Sequence, residues 1–180
     1  MFSHFPKFEF GDYSLREINP AIDAPYFYEY VTKDEVCSFI GEDNVPKSIE
    51  QAKQELSYWA SLFGLRRSYY WAIAGLENEM IGTAGFNNIS KAHLRGELSY
   101  DLNPKYWGNG IMTNALFRII EHAFNEMGLV RIQATVAQHN ERSFKIMENL
   151  GFKKEGELAK YERLKGKHYD FYMYAITRRV

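Results

Sequence analysis

The sequence predicts a single α/β domain spanning residues 1–180, one mixed sheet with helices on its faces. Two patterns carry that prediction. Residues 93–102 alternate strictly, with Leu94, Gly96, Leu98, Tyr100 and Leu102 on one face and Arg95, Glu97, Ser99 and Asp101 on the other, the period of a strand with one packed and one polar face. Met112, Ala115, Leu116, Ile119, Ile120, Ala123, Phe124 and Met127 recur at helical spacing and stop at Gly128, as a helix lying on a core should. Strand-like and helix-like segments follow one another with no internal repeat, low-complexity tract or linker, and 180 residues suit one core rather than two.

Residues 13–18 alternate weakly and read as a first strand, and residues 25–30 as a helical stretch. Ser48, with Gln51 three residues later, forms a capping box ahead of the stripe Ile49, Ala52, Leu56, Trp59 and Phe63, which ends at Gly64. Residues 69–74 and 80–86, rich in aromatic and β-branched side chains, pair as a hairpin across the polar Glu77, Asn78 and Glu79. After the strand 93–102 come Asn103-Pro104, the loop 106–110 and the long helix. Val130, Ile132, Ala134 and Val136 alternate as the next strand. A shorter helix has Asn140 as its N-cap, buries Phe144, Met147 and Leu150, and closes at Gly151. Residues 152–158 and 168–176 form two final strands around the turn Lys165-Gly166-Lys167.

Composition narrows the function. A chain that is 46% hydrophobic and 16% aromatic folds rather than staying disordered. Twenty-two Lys and Arg against 23 Asp and Glu, with no dense basic run, argue against nucleic acid as the main ligand. Cys37 is the sole cysteine, so a reducing compartment, the cytoplasm, is expected. Residues 1–7 lack the pattern of an export signal, and no apolar run approaches the ~20 residues of a membrane span, so no membrane partner is expected. None of the five histidines has ligand-like spacing, so no metal is expected.

Gly108-Asn109-Gly110 sits between a strand and the long helix, where amides without intrahelical partners point outward and the helix dipole favours an anion. Glycine lets a phosphate approach without meeting a Cβ. Neither a P-loop nor a Rossmann fingerprint fits: no GxxxxGK[ST] string occurs, and the last position of GxGxxG falls on Thr113. A plain tight turn into a helix would also use an isolated GxG, and the loop alone does not separate the two.

Context separates them. ELSYDL (97–102) and YWGNGIMT (106–113), followed by NERSFKIMENLGF (140–152), together resemble the GNAT acetyltransferases, in particular the branch similar to the RimJ/RimL ribosomal-protein N-terminal acetyltransferases. The match is specific over 97–152 and extends by element order over about 13–176. The resemblance implies a mixed, mostly antiparallel sheet of about seven strands flanked by helices, acetyl-CoA as co-substrate, an amine acceptor, and allows a homodimer. It places the CoA pyrophosphate on the amides of Gly108, Asn109, Gly110, Ile111, Met112 and Thr113. Trp107 stands where relatives carry Arg or Gln, and Met112 where they carry a small residue. The strand ending at Leu102 would splay from its neighbour and offer backbone groups around Tyr100 and Leu102 to the pantetheine amides. Asn140 would reach the pantetheine arm and Ser143 the sulfur.

Acyl transfer to an amine needs a neutral nitrogen, a stabilised oxyanion and a proton for the departing thiolate. The resemblance makes Glu97 the base; without it, Glu97 between Arg95 and Ser99 reads as a solvated face residue. Amides near Leu98 and Ser99 are the expected oxyanion donors. Many relatives protonate the thiolate with a tyrosine whose position here is Met147, so Ser143, one turn earlier, takes the role; a first-turn serine also suits a plain helix start. The loop residue His139 reads as surface. The expected activity is acetylation of a protein or peptide α-amine. Acetylation of a small amine such as a polyamine, amino sugar or antibiotic is the second reading, and a non-catalytic acyl-CoA-binding module the third. With Glu97 as base and no second carboxylate evident, the less basic α-amine is the expected nucleophile.

Overall fold

The computed structural model describes residues 4–65 and 67–178. Eight strands among them form one sheet: β1 (Phe8–Phe10), β2 (Tyr13–Glu17), β3 (Tyr70–Ala74), β4 (Met80–Ser90), β5 (Arg95–Leu102), β6 (Arg131–Ala137), β7 (Lys153–Leu164) and β8 (Lys167–Thr177). Their spatial order is β1-β2-β3-β4-β5-β6-β8-β7, antiparallel throughout except between β5 and β6. The helices are α1 (Pro20–Val31), α2 (Asp34–Cys37), α3 (Ile49–Gly64), α4 (Ile111–Asn125) and α5 (Glu141–Asn149).

The two faces bury different cores. α1 and α3 cover one face, with Phe27, Tyr30, Leu56 and Leu62 against Tyr70, Ala72 and Met80. α4 and α5 cover the other, with Leu116, Ile119 and Met147 against Trp71, Ile73, Phe86 and Leu98. A strand covered on both sides reads as a continuous apolar run, which is why β3 shows no alternation.

α1 starts five residues before the helical stretch expected from Pro25. Pro20 is its first residue, where a missing N–H is harmless, and Asn19 accepts from Ala21 N at 3.2 Å. Pro25 lies inside the helix. The helix is locked to β2 by Asp23, which is fully buried and takes a two-pronged ion pair from Arg16 at 2.7 and 2.8 Å as well as the Asn19 amide at 2.8 Å. α3 begins as expected at Ser48, whose hydroxyl accepts from Gln51 N; the Gln51 side chain closes on Lys47 N at 2.8 Å rather than on Ser48 itself.

β1 and α2 are too short to leave a periodic signal, and β4 and β7 run past the expected hairpin ends, to Ser90 and Leu164. Leu94 turns out of the apolar face of β5 with φ +50° and is exposed. Of the three expected core residues of α5, Met147 is fully buried while Phe144 and Leu150 are half-buried.

The polar face of β5 does not look out to solvent along its length. The Asp101 carboxylate receives Tyr30 Oη at 2.5 Å, Thr83 Oγ1 at 2.8 Å and Thr83 N at 3.1 Å, tying α1 to the sheet. Loss of solvent pushes the Asp101 carboxyl above its ordinary pKa, with those hydrogen bonds pulling the other way. A carboxyl whose folded pKa is raised stabilises the fold while protonated, and that contribution is lost as pH rises through the folded value. The uncharged isostere Asp101→Asn is therefore expected to gain on the parent protein as pH rises across the range from mildly acidic to mildly basic. Urea midpoints at both ends of that range check this; a variant that falls further behind at the higher pH would contradict it.

Candidate active site

β5 and β6 run together for only three residue pairs, Arg95 with Arg131, Gly96 with Ile132 and Glu97 with Gln133. Beyond that point β6 is paired only with β8 and β5 only with β4, so a fork opens immediately after Glu97. Backbone direction alternates along β5. Leu94 O accepts from Val130 N on the β6 side, whereas Asn103 N donates to Ile81 O on the β4 side. The peptide groups of Leu98, Tyr100 and Leu102 thus face the fork, and that of Ser99 faces β4. Of the two amides expected to meet an oxyanion, Leu98 N–H lies at the fork edge and Ser99 N–H points away. Part of the edge is already filled, because Trp107 Nε1 donates to Leu102 O at 2.8 Å.

Side chains divide the other way. Ser99 lies opposite Gly85 and Asp101 opposite Thr83, the rows that carry Tyr70 and Ala72 beneath α1 and α3. Glu97, in phase with them, belongs to that face. Leu98, Tyr100 and Leu102 pack into the core under α4 and α5.

At the mouth of the fork, Gly108 and Gly110 hold φ +81° and +72°, a conformation that L side chains rarely adopt, and no atom lies within 4 Å of where a Cβ on Gly108 would stand. Gly110 caps α4 without a side-chain hydrogen bond, leaving the first-turn amides Ile111, Met112 and Thr113 without a capping side chain. The Ile111 and Met112 side chains are buried in the core, so the larger residue at 112 does not crowd the loop. This is a cradle of backbone donors shaped for a phosphate. Asn109 reaches back to the carbonyls of Tyr106 and Trp107 at 3.4 Å. Trp107, in place of Arg or Gln, carries the Arg142 guanidinium over its ring at 4.2 Å, which brings the first turn of α5 to the same mouth. In that turn the Asn140 side chain caps the helix, accepting from Ser143 N at 3.2 Å. Its oxygen is thereby engaged.

On the α1 and α3 face a groove of about 420 Å³ is walled by Trp59, Leu62, Tyr70, Asn87, Asn88 and Ile89, and Asn88 stands opposite Glu97 in the β4–β5 ladder. The Tyr70 hydroxyl donates to Asn87 Oδ1. Burial holds the Tyr70 phenol well above its ordinary pKa, and the negative charges of Asp101, Glu97 and Glu55 add to that. Two further carboxyls, not singled out in the sequence, are shifted by burial. Glu55 is pushed from 4.5 to about 7 by loss of solvent and then by Asp101. Burial raises Glu162, which follows Tyr161, a phenol raised by its own burial and by Glu97. Glu55 did leave a signal: it falls inside the α3 apolar stripe, three residues after Ala52 and four before Trp59. Glu162 left none. No group of three or more His, Cys, Asp or Glu side chains among the described residues is placed to hold a metal ion, and no described helix is long and apolar enough to cross a membrane.

Residues 13–153 match the Acetyltransferase (GNAT) domain. The chain belongs to the GNAT acetyltransferase family. This acetyltransferase is 34% identical over 175 residues to the uncharacterized N-acetyltransferase YoaA of Bacillus subtilis (strain 168), covering 97% of this chain and 98% of that one. Its fold is similar to that of the ribosomal-protein-S5-alanine acetyltransferase from Vibrio fischeri, with a TM-score of 0.84, 29% identity and 96% of each chain covered. It also shares the fold of RimL, a ribosomal L7/L12 α-N-protein acetyltransferase solved in complex with coenzyme A, at a TM-score of 0.86 and 22% identity over 93% of this chain and 95% of that one. The enzyme is an acetyl-CoA-dependent N-acetyltransferase.

Glu55 gives a direct check on the electrostatics of the acceptor face. A carboxyl resonance titrating near 7 in carbon-13 NMR is expected in the parent protein and absent in Glu55→Gln. Because its folded pKa is raised, Glu55 contributes stability that is lost as pH rises from 4.5 to about 7, so the variant should lose less stability than the parent across that window.

Proposed function

We propose that this acetyltransferase moves the acetyl group of acetyl-CoA to the N-terminal α-amine of a protein or peptide, with Glu97 as base and Ser143 as acid. The observation that carries the reading is the fork that opens directly after Glu97, with Glu97 on the groove face and α5 on the other. The amides of Gly108 to Thr113 would hold the pyrophosphate, and the Tyr100 and Leu102 backbone, with the Asn140 side chain, the pantetheine arm. Acetyl-CoA supplies an activated thioester carbonyl. The acceptor's ammonium gives its proton to Glu97 directly or through water. As the N–C bond forms and the C–S bond breaks, Ser143 passes a proton to the sulfur and is reprotonated from solvent.

Acceptor basicity favours an α-amine. Exposing its neutral form at pH 7 costs about 1.4 kcal/mol for a pKa near 8, against roughly 4.6 kcal/mol for a lysine near 10.4. The similarity to a ribosomal-protein-S5-alanine acetyltransferase supports the same acceptor. A polycationic small amine is the second reading, favoured by the negative charges of Asp101, Glu97 and Glu55 that act on Tyr70 in the groove wall.

Free-N-terminal peptides, N-blocked lysine peptides and spermidine, compared at neutral pH by thiol release from acetyl-CoA, separate these. The difference of ~3 kcal/mol predicts about a hundredfold preference for the free N-terminus over lysine. Equal rates would remove the α-amine assignment. Glu97→Gln should lose turnover below the acceptor's pKa and recover in part above it, and a pH-independent loss would make Glu97 structural. At 100 times its dissociation constant, CoA should stabilise the parent protein by about 2.7 kcal/mol. Gly110→Ala, which places a side chain at φ +72°, should destabilise the apo protein by ~1–2 kcal/mol and shrink the CoA-induced rise in Tm.

A further inference from the structure

Tyr100 carries a hydroxyl that the fold buries and does not satisfy. Its oxygen is out of solvent and has no hydrogen-bond partner of ordinary geometry among the described residues. Buried phenols nearly always find one, because an unpaired polar group in a low-dielectric interior is penalised. The side chain it meets is Ser143, which alone draws the Tyr100 pKa back down against the upward push of burial.

Ser143 is unusual in the same way. The helix and turn hydroxyls of Ser38, Ser57 and Ser61 bond back to carbonyls of their own segments, as serine commonly does. Ser143 Oγ makes no such bond among the described residues, while its amide is held by Asn140 Oδ1. The residue is fixed while its hydroxyl is left to turn. One helical turn on, Met147 is buried and can donate nothing. Two adjoining hydroxyls therefore stand on the same side of β5, at the fork, each without a settled partner.

We infer that Tyr100 is a positioning residue for acyl transfer: its phenol donates to Ser143 Oγ and so turns the serine O–H toward the sulfur that departs at the fork. The inference rests on Ser143 being the acid. Tyr100 keeps its own proton throughout; burial holds its pKa at about 12, so it is a permanent donor over the working range. Donating to Ser143 Oγ also makes the serine hydroxyl the stronger donor to the thiolate, since linked hydrogen bonds polarise one another. This is a role for the Tyr100 side chain, separate from that of its backbone.

Tyr100→Phe removes the hydroxyl and keeps the ring. Turnover should fall about tenfold, the equivalent of one hydrogen bond at ~1.4 kcal/mol, with KM for acetyl-CoA unchanged and the apo Tm no lower than that of the parent. Tyr100→Phe combined with Ser143→Ala should be no slower than Ser143→Ala alone. In apo protein labelled at tyrosine Cζ, Ser143→Ala should shift the Tyr100 resonance. The probe is acetyl-CoA with the fastest acceptor of the peptide and amine panel, or thiol release to water if none is acetylated. Parental turnover in Tyr100→Phe, or full additivity in the double variant, would overturn the inference while leaving the acid assignment standing. Parental turnover in Ser143→Ala would remove the acid and the inference together.

Discussion

The rest of the molecule is arranged around the loss of pairing between β5 and β6 after Glu97. Sheets resist such gaps, because unpaired backbone groups in an interior are penalised unless something else bonds them. Here the gap is kept open from both sides. β4 holds β5 through a ladder that shifts register between Phe86 and Asn88 and then runs on to Leu102, β8 holds β6 through Ala137, and neither strand can turn back toward the other without breaking that pairing. A peptide-like ligand with its own amides is the natural complement of such an edge.

Strand parity then sorts the chemistry. Side chains alternate between faces, so consecutive residues of β5 serve opposite sides of the sheet: Glu97, Ser99 and Asp101 look toward α1 and α3, Leu98 and Tyr100 toward α4 and α5. A proton acceptor and a proton donor can thus stand on either side of one gap without neutralising each other. On the α1 and α3 face Asp101 is held by Tyr30 and Thr83, neutral donors, rather than by a cation. Arg16 is engaged three strands away with Asp23, where the pair anchors α1 instead. Loss of solvent raises Glu55 and Asp101, and the charge of Asp101 adds to the rise at Glu55.

The cofactor side is built mostly from backbone. Left-handed glycines at 108 and 110 turn the chain so that α4 begins with its amides outward, and side-chain identity matters less there than φ. Trp107 and Met112 are accommodated for that reason: one ring caps the Leu102 carbonyl and supports Arg142, and the thioether points into the core.

The sequence by itself determined the elements whose signals are local. α3, α4, α5 and β5 were legible from periodicity and caps, because an amphipathic stripe and a helix end are written in consecutive residues. The glycine loop, Glu97 and Ser143 were singled out as site residues only through family resemblance, and Glu97 on its own read as one more surface carboxylate. The tertiary structure alone decided what depends on contacts between distant segments. β1 and α2 are too short to carry a period. The start of α1 was masked by Pro25, which reads as a helix start but lies inside. Glu55 and Asp101 come together only when α3 and β5 meet, and a carboxylate's pKa is set by solvent exclusion and neighbouring charge, neither of which is a property of its own segment. The Tyr100 hydroxyl came beside Ser143 for the same reason: residues 43 positions apart in the chain are brought together by the packing of α5 over β5.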